Sequence, residues 1–115
     1  MFGTKTKRAL ALGGASAALV GAGMLAATPA LASTMVVAWK HANVYAGPAL
    51  GERVVSYVNN GYSYDGQCWL EGDLVTDSGI SNRNWVRLKL NSGGTAYVSA
   101  VYLKGNDKGN VPNHC

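Results

Sequence analysis

Four kinds of side chain in this sequence could do chemistry: two cysteines, two histidines, a cluster of carboxylates and a set of large aromatics. Cys68 and Cys115 are the only thiols, one in mid-chain and one at the last position. In an oxidising compartment two such cysteines pair. The loop entropy removed from the unfolded chain then makes the cross-link worth about 4 kcal/mol. The competing reading is a reactive or intermolecular thiol, and the compartment decides between them. His41 and His114 lie near opposite ends of the region after residue 32, with no Gly-x-Ser-x-Gly or His-x-x-x-His spacing around them. A triad needs a nucleophile, a base and an orienting group within hydrogen-bond reach, so His41 reads as an edge residue.

Glu71, Asp73 and Asp77 fall in the stretch "WLEGDLVTDSGISNRN". Two carboxylates could cleave a glycosidic bond if burial kept one protonated. Among Gly72, Thr76, Ser78, Gly79 and Asn82 these three read as solvated loop charges, and they lack the ordered alternation of a calcium loop. The expectation is a protein without catalytic residues, metal or cofactor. The aromatics remain. Tyr45, Trp69, Trp85 and Tyr97, with Arg87 beside them for a carboxylate, are the candidate ligand contacts.

The compartment is written in the first 32 residues. Lys5, Lys7 and Arg8 precede an apolar run from Ala9 to about Ala27, and Ala30-Leu31-Ala32 supplies small side chains for a signal peptidase. An uncleaved anchor is the alternative. Gly13, Gly14, Gly21 and Gly23 dilute the run, and the cleavage pattern is well placed, so a signal peptide removed after Ala32 is expected. The product is then secreted, with no membrane attachment and with a Cys68–Cys115 disulfide. The whole chain carries 10 basic and 6 acidic residues, but three of the basic ones lie before residue 33. The remainder has a net charge near +1 with its basic residues scattered, which excludes a nucleic-acid footprint.

The elements that must position these residues are short strands. Residues 33–115 are rich in β-branched and aromatic residues, turn signals recur every 8–15 residues, and no helical period stands out. The expected strands are 35–39, 43–45, 53–58, 62–70, 84–90, 95–100 and 101–103. Asn59-Asn60-Gly61 is expected to turn 53–58 onto its partner 62–70. Alternation puts Val86, Leu88 and Leu90 on the core face, opposite Trp85, Arg87 and Lys89. Tyr62, Tyr64, Cys68 and Leu70 share a face opposite Asp65 and Trp69, unless a bulge at Gly66 shifts the phase.

At "NVYAGPALGERVVSYVNNG" the chain resembles a bacterial Src homology 3 domain, whose opening is Asn-Val-Arg-Ser-Gly-Pro. Asn43, Val44, Gly47, Pro48, Val54, Val55 and Gly61 match that pattern, and Trp85, Val98, Tyr102 and Leu103 match its closing strands. Tyr45 and Ala46 replace the Arg and Ser, and the 69–84 stretch is longer than in simple members. The position of the cysteines is similar to that in exported single-domain members from Gram-positive bacteria. The resemblance covers roughly residues 40–104 and implies a small all-β SH3-like barrel of five to six strands. It also implies a non-catalytic role in binding cell-wall peptide or peptidoglycan. Gly47 with positive φ and Pro48 with fixed φ would pin a corner. The expectation is a monomeric, secreted wall-binding module. The alternative is a protein–protein factor, an inhibitor or accessory, that uses the 69–84 segment as its contact loop.

Overall fold

The structure, a computed structural model, describes residues 33–115; the expected signal segment, 1–32, lies outside the described residues. Six strands follow in order: β1 Thr34–Val37, β2 Ala42–Tyr45, β3 Val54–Val58, β4 Ser63–Asp77, β5 Ile80–Lys89 and β6 Thr95–Ser99. They form one antiparallel sheet, ordered β1-β4-β5-β6-β2-β3, that curls into a half-barrel. The all-β class is as expected, and Cys68 and Cys115 form the disulfide, with Cα atoms 4.9 Å apart.

Alternating apolar residues place the main core inside the curl. Val36, Val44, Val58, Val86, Leu88 and Val98 are almost completely buried there. β-Branched side chains suit these positions because they pack on a pleated surface with little rotamer entropy to lose. The two-residue period also holds on the opposite face of β5, but that face is not bare. Trp85 is fully buried there with Val75 and Val101, and Tyr45, Leu70, Tyr97 and Tyr102 pack around them.

A register shift between Gly66 and Cys68 interrupts the β4–β5 ladder. It moves Trp69 onto the main-core side with Tyr64, while Leu70 joins the second cluster, so the unshifted face assignment for Tyr64 and Leu70 does not hold. Gly66 makes this possible. A Cβ at that position would press on the Thr34 carbonyl and Val36 at 3.0 Å and on Val111 at 3.3 Å.

Three expected elements are corrected. Residues 71–83 are not a loop. They form the distal half of the β4–β5 hairpin, closed by Ser78 (φ 53) and Gly79 (φ 79). Val75 and Trp85 give that hairpin a buried side, which holds it in place. Residues 101–103 do not form a closing strand. Ala100–Tyr102 is a 3₁₀ turn in which the Val101 N–H donates to the Ser99 hydroxyl, and among 101–103 Leu103 alone bridges to Ala38. Gly47 has no positive φ; a Cβ there would crowd the Glu52 side chain at 3.1 Å. Gly61 does take positive φ, 84°, as a tight turn requires.

Candidate functional site

The expected hairpin of 53–58 on 62–70 does not form, and the candidate site is the space it leaves. Among the described residues β3 pairs only with β2, while the start of β4 pairs with β1 and its continuation with β5. The turn between β3 and β4 is claimed by Ala38 instead of by a ladder. Gly61 N–H donates to the Ala38 carbonyl at 2.7 Å, and Ala38 N–H donates to the Tyr62 carbonyl at 3.1 Å. Asn59 N–H donates to the Tyr64 hydroxyl at 2.7 Å. These bonds draw β4 toward β1 and leave the inner edge of β3, among the described residues, without a neighbouring strand.

Between β3, the start of β4 and the end of β5 lies an open groove of about 560 Å³. Val55 and Tyr57 form one wall, Tyr62 and Tyr64 with Met35 the other, and Lys89 stands at the β5 end. Tyr57, Tyr62 and Met35 are 56%, 64% and 62% exposed, unusually high for large apolar side chains that share one depression. Asp65 lies in the same groove, and its Oδ1 is buried with no hydrogen-bond partner among the described residues. A volume of this size falls within the range that accepts a small ligand or a few residues of an extended chain.

The five aromatic and basic residues singled out in the sequence lie elsewhere. Trp85, Tyr45 and Tyr97 do come together on the outer face, with Arg87 opposite Tyr97 and Tyr97 opposite Tyr45 across three strands. Tyr45 meets the Trp85 ring edge-on at 5.6 Å. Trp85 is completely buried and its indole N–H donates to the Asp73 carbonyl at 3.0 Å, so it supports its neighbours and presents no face to solvent. Arg87 spends its Nε–H on the Gln67 side chain at 3.0 Å. Trp69 is held by the C-terminal tail. His114 packs edge-on at 4.4 Å, Lys108 Nζ sits 4.7 Å from the ring centroid, and main-chain bonds join Trp69 to Asn113 and Cys115.

The three carboxylates also separate. Asp73 accepts from Leu50 N–H at 2.9 Å, and its own N–H donates to the Pro48 carbonyl at 3.1 Å, so the Gly47-Pro48 turn is stitched to the distal hairpin. Asp77 accepts from Lys40 at 2.7 Å, from Ser78 at 2.8 Å and from Tyr102 at 3.0 Å. Those three hydrogen bonds, Lys40 foremost, hold its carboxyl below the usual range. Burial, reinforced by the bond to Asp77, pushes the Tyr102 phenol up to about 12. Among the described residues, no three His, Cys, Asp or Glu side chains gather as a metal site.

Sequence reasoning missed Met35, Tyr57 and Tyr62. The signal was present, since Tyr57 and Tyr62 flank the Asn-Asn-Gly turn, but a hairpin there would make them a cross-strand pair instead of opposite walls. No family model, curated protein or solved structure matches this chain.

Proposed function

We propose that the chain is a secreted, non-catalytic binding module of bacterial Src homology 3 type that holds a cell-wall peptide in the groove between β3 and β4. The observation that carries this reading is three large apolar side chains, Met35, Tyr57 and Tyr62, exposed around one depression beside a strand edge that is unpaired among the described residues. Exposed apolar area of this kind is tolerated where a partner covers it. An extended peptide would bond the free edge of β3 through its main chain and place alternate side chains in the groove. The Cys68–Cys115 cross-link is consistent with an extracellular location. The sequence resemblance points to the same role.

Co-sedimentation with insoluble peptidoglycan tests the proposal. The protein should pellet with the wall, and Tyr57→Ala and Tyr62→Ala should each release it to the supernatant with unchanged melting temperature. Both side chains are more than half exposed, so their loss should leave the fold intact. Absence of pelleting, or pelleting indifferent to both variants, refutes the groove. A protein–protein role has one observation of its own: Leu74 and Ile80 are 46% and 45% exposed on the distal hairpin. It predicts capture of an exported protein that is lost in Leu74→Ser or Ile80→Ser and kept in the tyrosine variants.

A further inference from the structure

The outer face of the sheet carries a second, smaller hollow of about 200 Å³. Its walls are the half-buried rings of Tyr45 and Tyr102, its floor is the buried Trp85, and His41, Asn43 and Leu50 stand at its mouth. The volume lies below the roughly 300 Å³ at which pockets for drug-sized ligands begin, so the hollow admits about one ring. Its walls do not adapt freely. Tyr45 is fixed by its edge-on contact with Trp85, and the Tyr102 hydroxyl is fixed on Asp77 at 3.0 Å.

The polar groups at the mouth are idle. Asn43 lies in β2 with its side chain exposed and, among the described residues, its amide has no hydrogen-bond partner. Its exposed amide is therefore open to a ligand. The Tyr45 hydroxyl is likewise unpaired among the described residues. His41 uses Nδ1 on the Asn59 side chain at 3.0 Å, which leaves Nε2 open. Nearby, Lys40 and Asp77 pair with each other at 2.7 Å, and the Asp73 carboxylate accepts from the Leu50 N–H at 2.9 Å. With its phenol pushed up to about 12, Tyr102 stays neutral across the physiological range. The hollow therefore offers two flat rings, an amide and a hydroxyl. That combination fits a neutral ring that is apolar on its faces and hydroxylated around its rim.

We propose that this hollow is a second binding site that seats one pyranose ring of a neutral glycan between Tyr45 and Tyr102, with Asn43 bonding its hydroxyls or amide. The choice of a glycan over other neutral rings rests on the wall-binding reading. The two depressions meet at their rims, where His41 of the hollow packs on Tyr57 of the groove at a centroid distance of 5.1 Å. A wall fragment that carries both sugar and peptide could occupy both at once, and linkage of the two contacts would raise the overall affinity.

The experiment is an amide-resolved NMR titration of the ¹⁵N-labelled protein with a trisaccharide of N-acetylglucosamine. Saturable shifts are expected at residues 41–45, Leu50, 99–102 and the Trp85 indole N–H. Asn43→Ala should weaken binding roughly five- to tenfold, the loss of about one hydrogen bond, while Arg83→Ala, an exposed side chain outside both depressions, leaves it unchanged. No saturable shift, shifts confined to 55–58 and 62–65, or an Asn43→Ala variant that binds as well as the parent overturns the inference. The two proposals fail separately. Wall pelleting that depends on Tyr57 and Tyr62 without trisaccharide binding removes only the hollow. Trisaccharide binding without pelleting removes only the groove.

Discussion

Replacing Cys115 with serine isolates the contribution of the cross-link. The bridge spans 47 residues of sequence, and closing a loop of that length removes unfolded-state entropy worth about 4 kcal/mol. For a domain of this size each kcal/mol moves the melting temperature by roughly 4–8 °C, so Cys115→Ser should lower it by roughly 15–30 °C. The choice of partner matters. Cys115 is exposed, so serine there meets water, whereas Cys68 is fully buried and its freed thiol remains a small apolar group. Thermal unfolding followed by circular dichroism, without reductant, measures the shift. A second reading tests the mechanism. If the bridge acts on the unfolded chain, the native tail contacts persist at low temperature: Val111 stays in the main core, and the bonds from Trp69 N–H to Asn113 and from Cys115 N–H to Trp69 survive. Tryptophan emission at 10 °C, to which Trp39, Trp69 and Trp85 all contribute, should then match the parent. A melting-temperature loss below about 5 °C would refute the entropic account. A large loss with Trp69 already exposed at low temperature would refute it too, since the bridge would then be holding the folded tail down.

The packing and the ionisable groups yield three further tests. Gly72→Ala drives a Cβ into the Pro48 carbonyl and should cost about 1–3 kcal/mol in urea unfolding, because the Gly47-Pro48 turn must lift from the hairpin. Gly51→Ala, which meets nothing within 4 Å, should change stability by less than about 0.5 kcal/mol. In an ultraviolet titration one of the six tyrosines should ionise near 12, and Tyr102→Phe should remove that step. The folded-state value of Tyr102 is raised, so its contribution to stability is complete below about 10 and disappears as pH climbs toward 12. Asp77 is lowered, so its contribution is present above 3.8 and is lost as pH falls through its folded value. Asp77→Asn should flatten the acid limb of stability measured against pH.

The strands of the central meander are legible because their signal is local. Val86 and Leu88 alternate with Trp85 and Arg87, and Val98 alternates with Tyr97, so the faces follow from the pleat alone. Gly61 reads correctly for the same reason, since a tight turn needs its φ. Trp69 does not, because one bulge residue beside Gly66 inverts the faces that directly follow it. Trp85 shows the other difficulty. Its face is assigned correctly, yet nothing nearby in sequence reveals that Val75 and Val101 cover it. The expected ligand contacts were therefore placed on the face that became a second core, and the exposed aromatics at Tyr57 and Tyr62 were paired away.

Composition and short-range pattern by themselves determine that this chain is a small all-β domain with two cysteines available to close it, because alternation and turn chemistry act between close neighbours. Tertiary structure alone decides which strands accept each other. Ala38, distant in sequence from Gly61 and Tyr62, outcompetes β3 for their main-chain groups, and the site exists because that competition leaves the edge of β3 unfilled among the described residues.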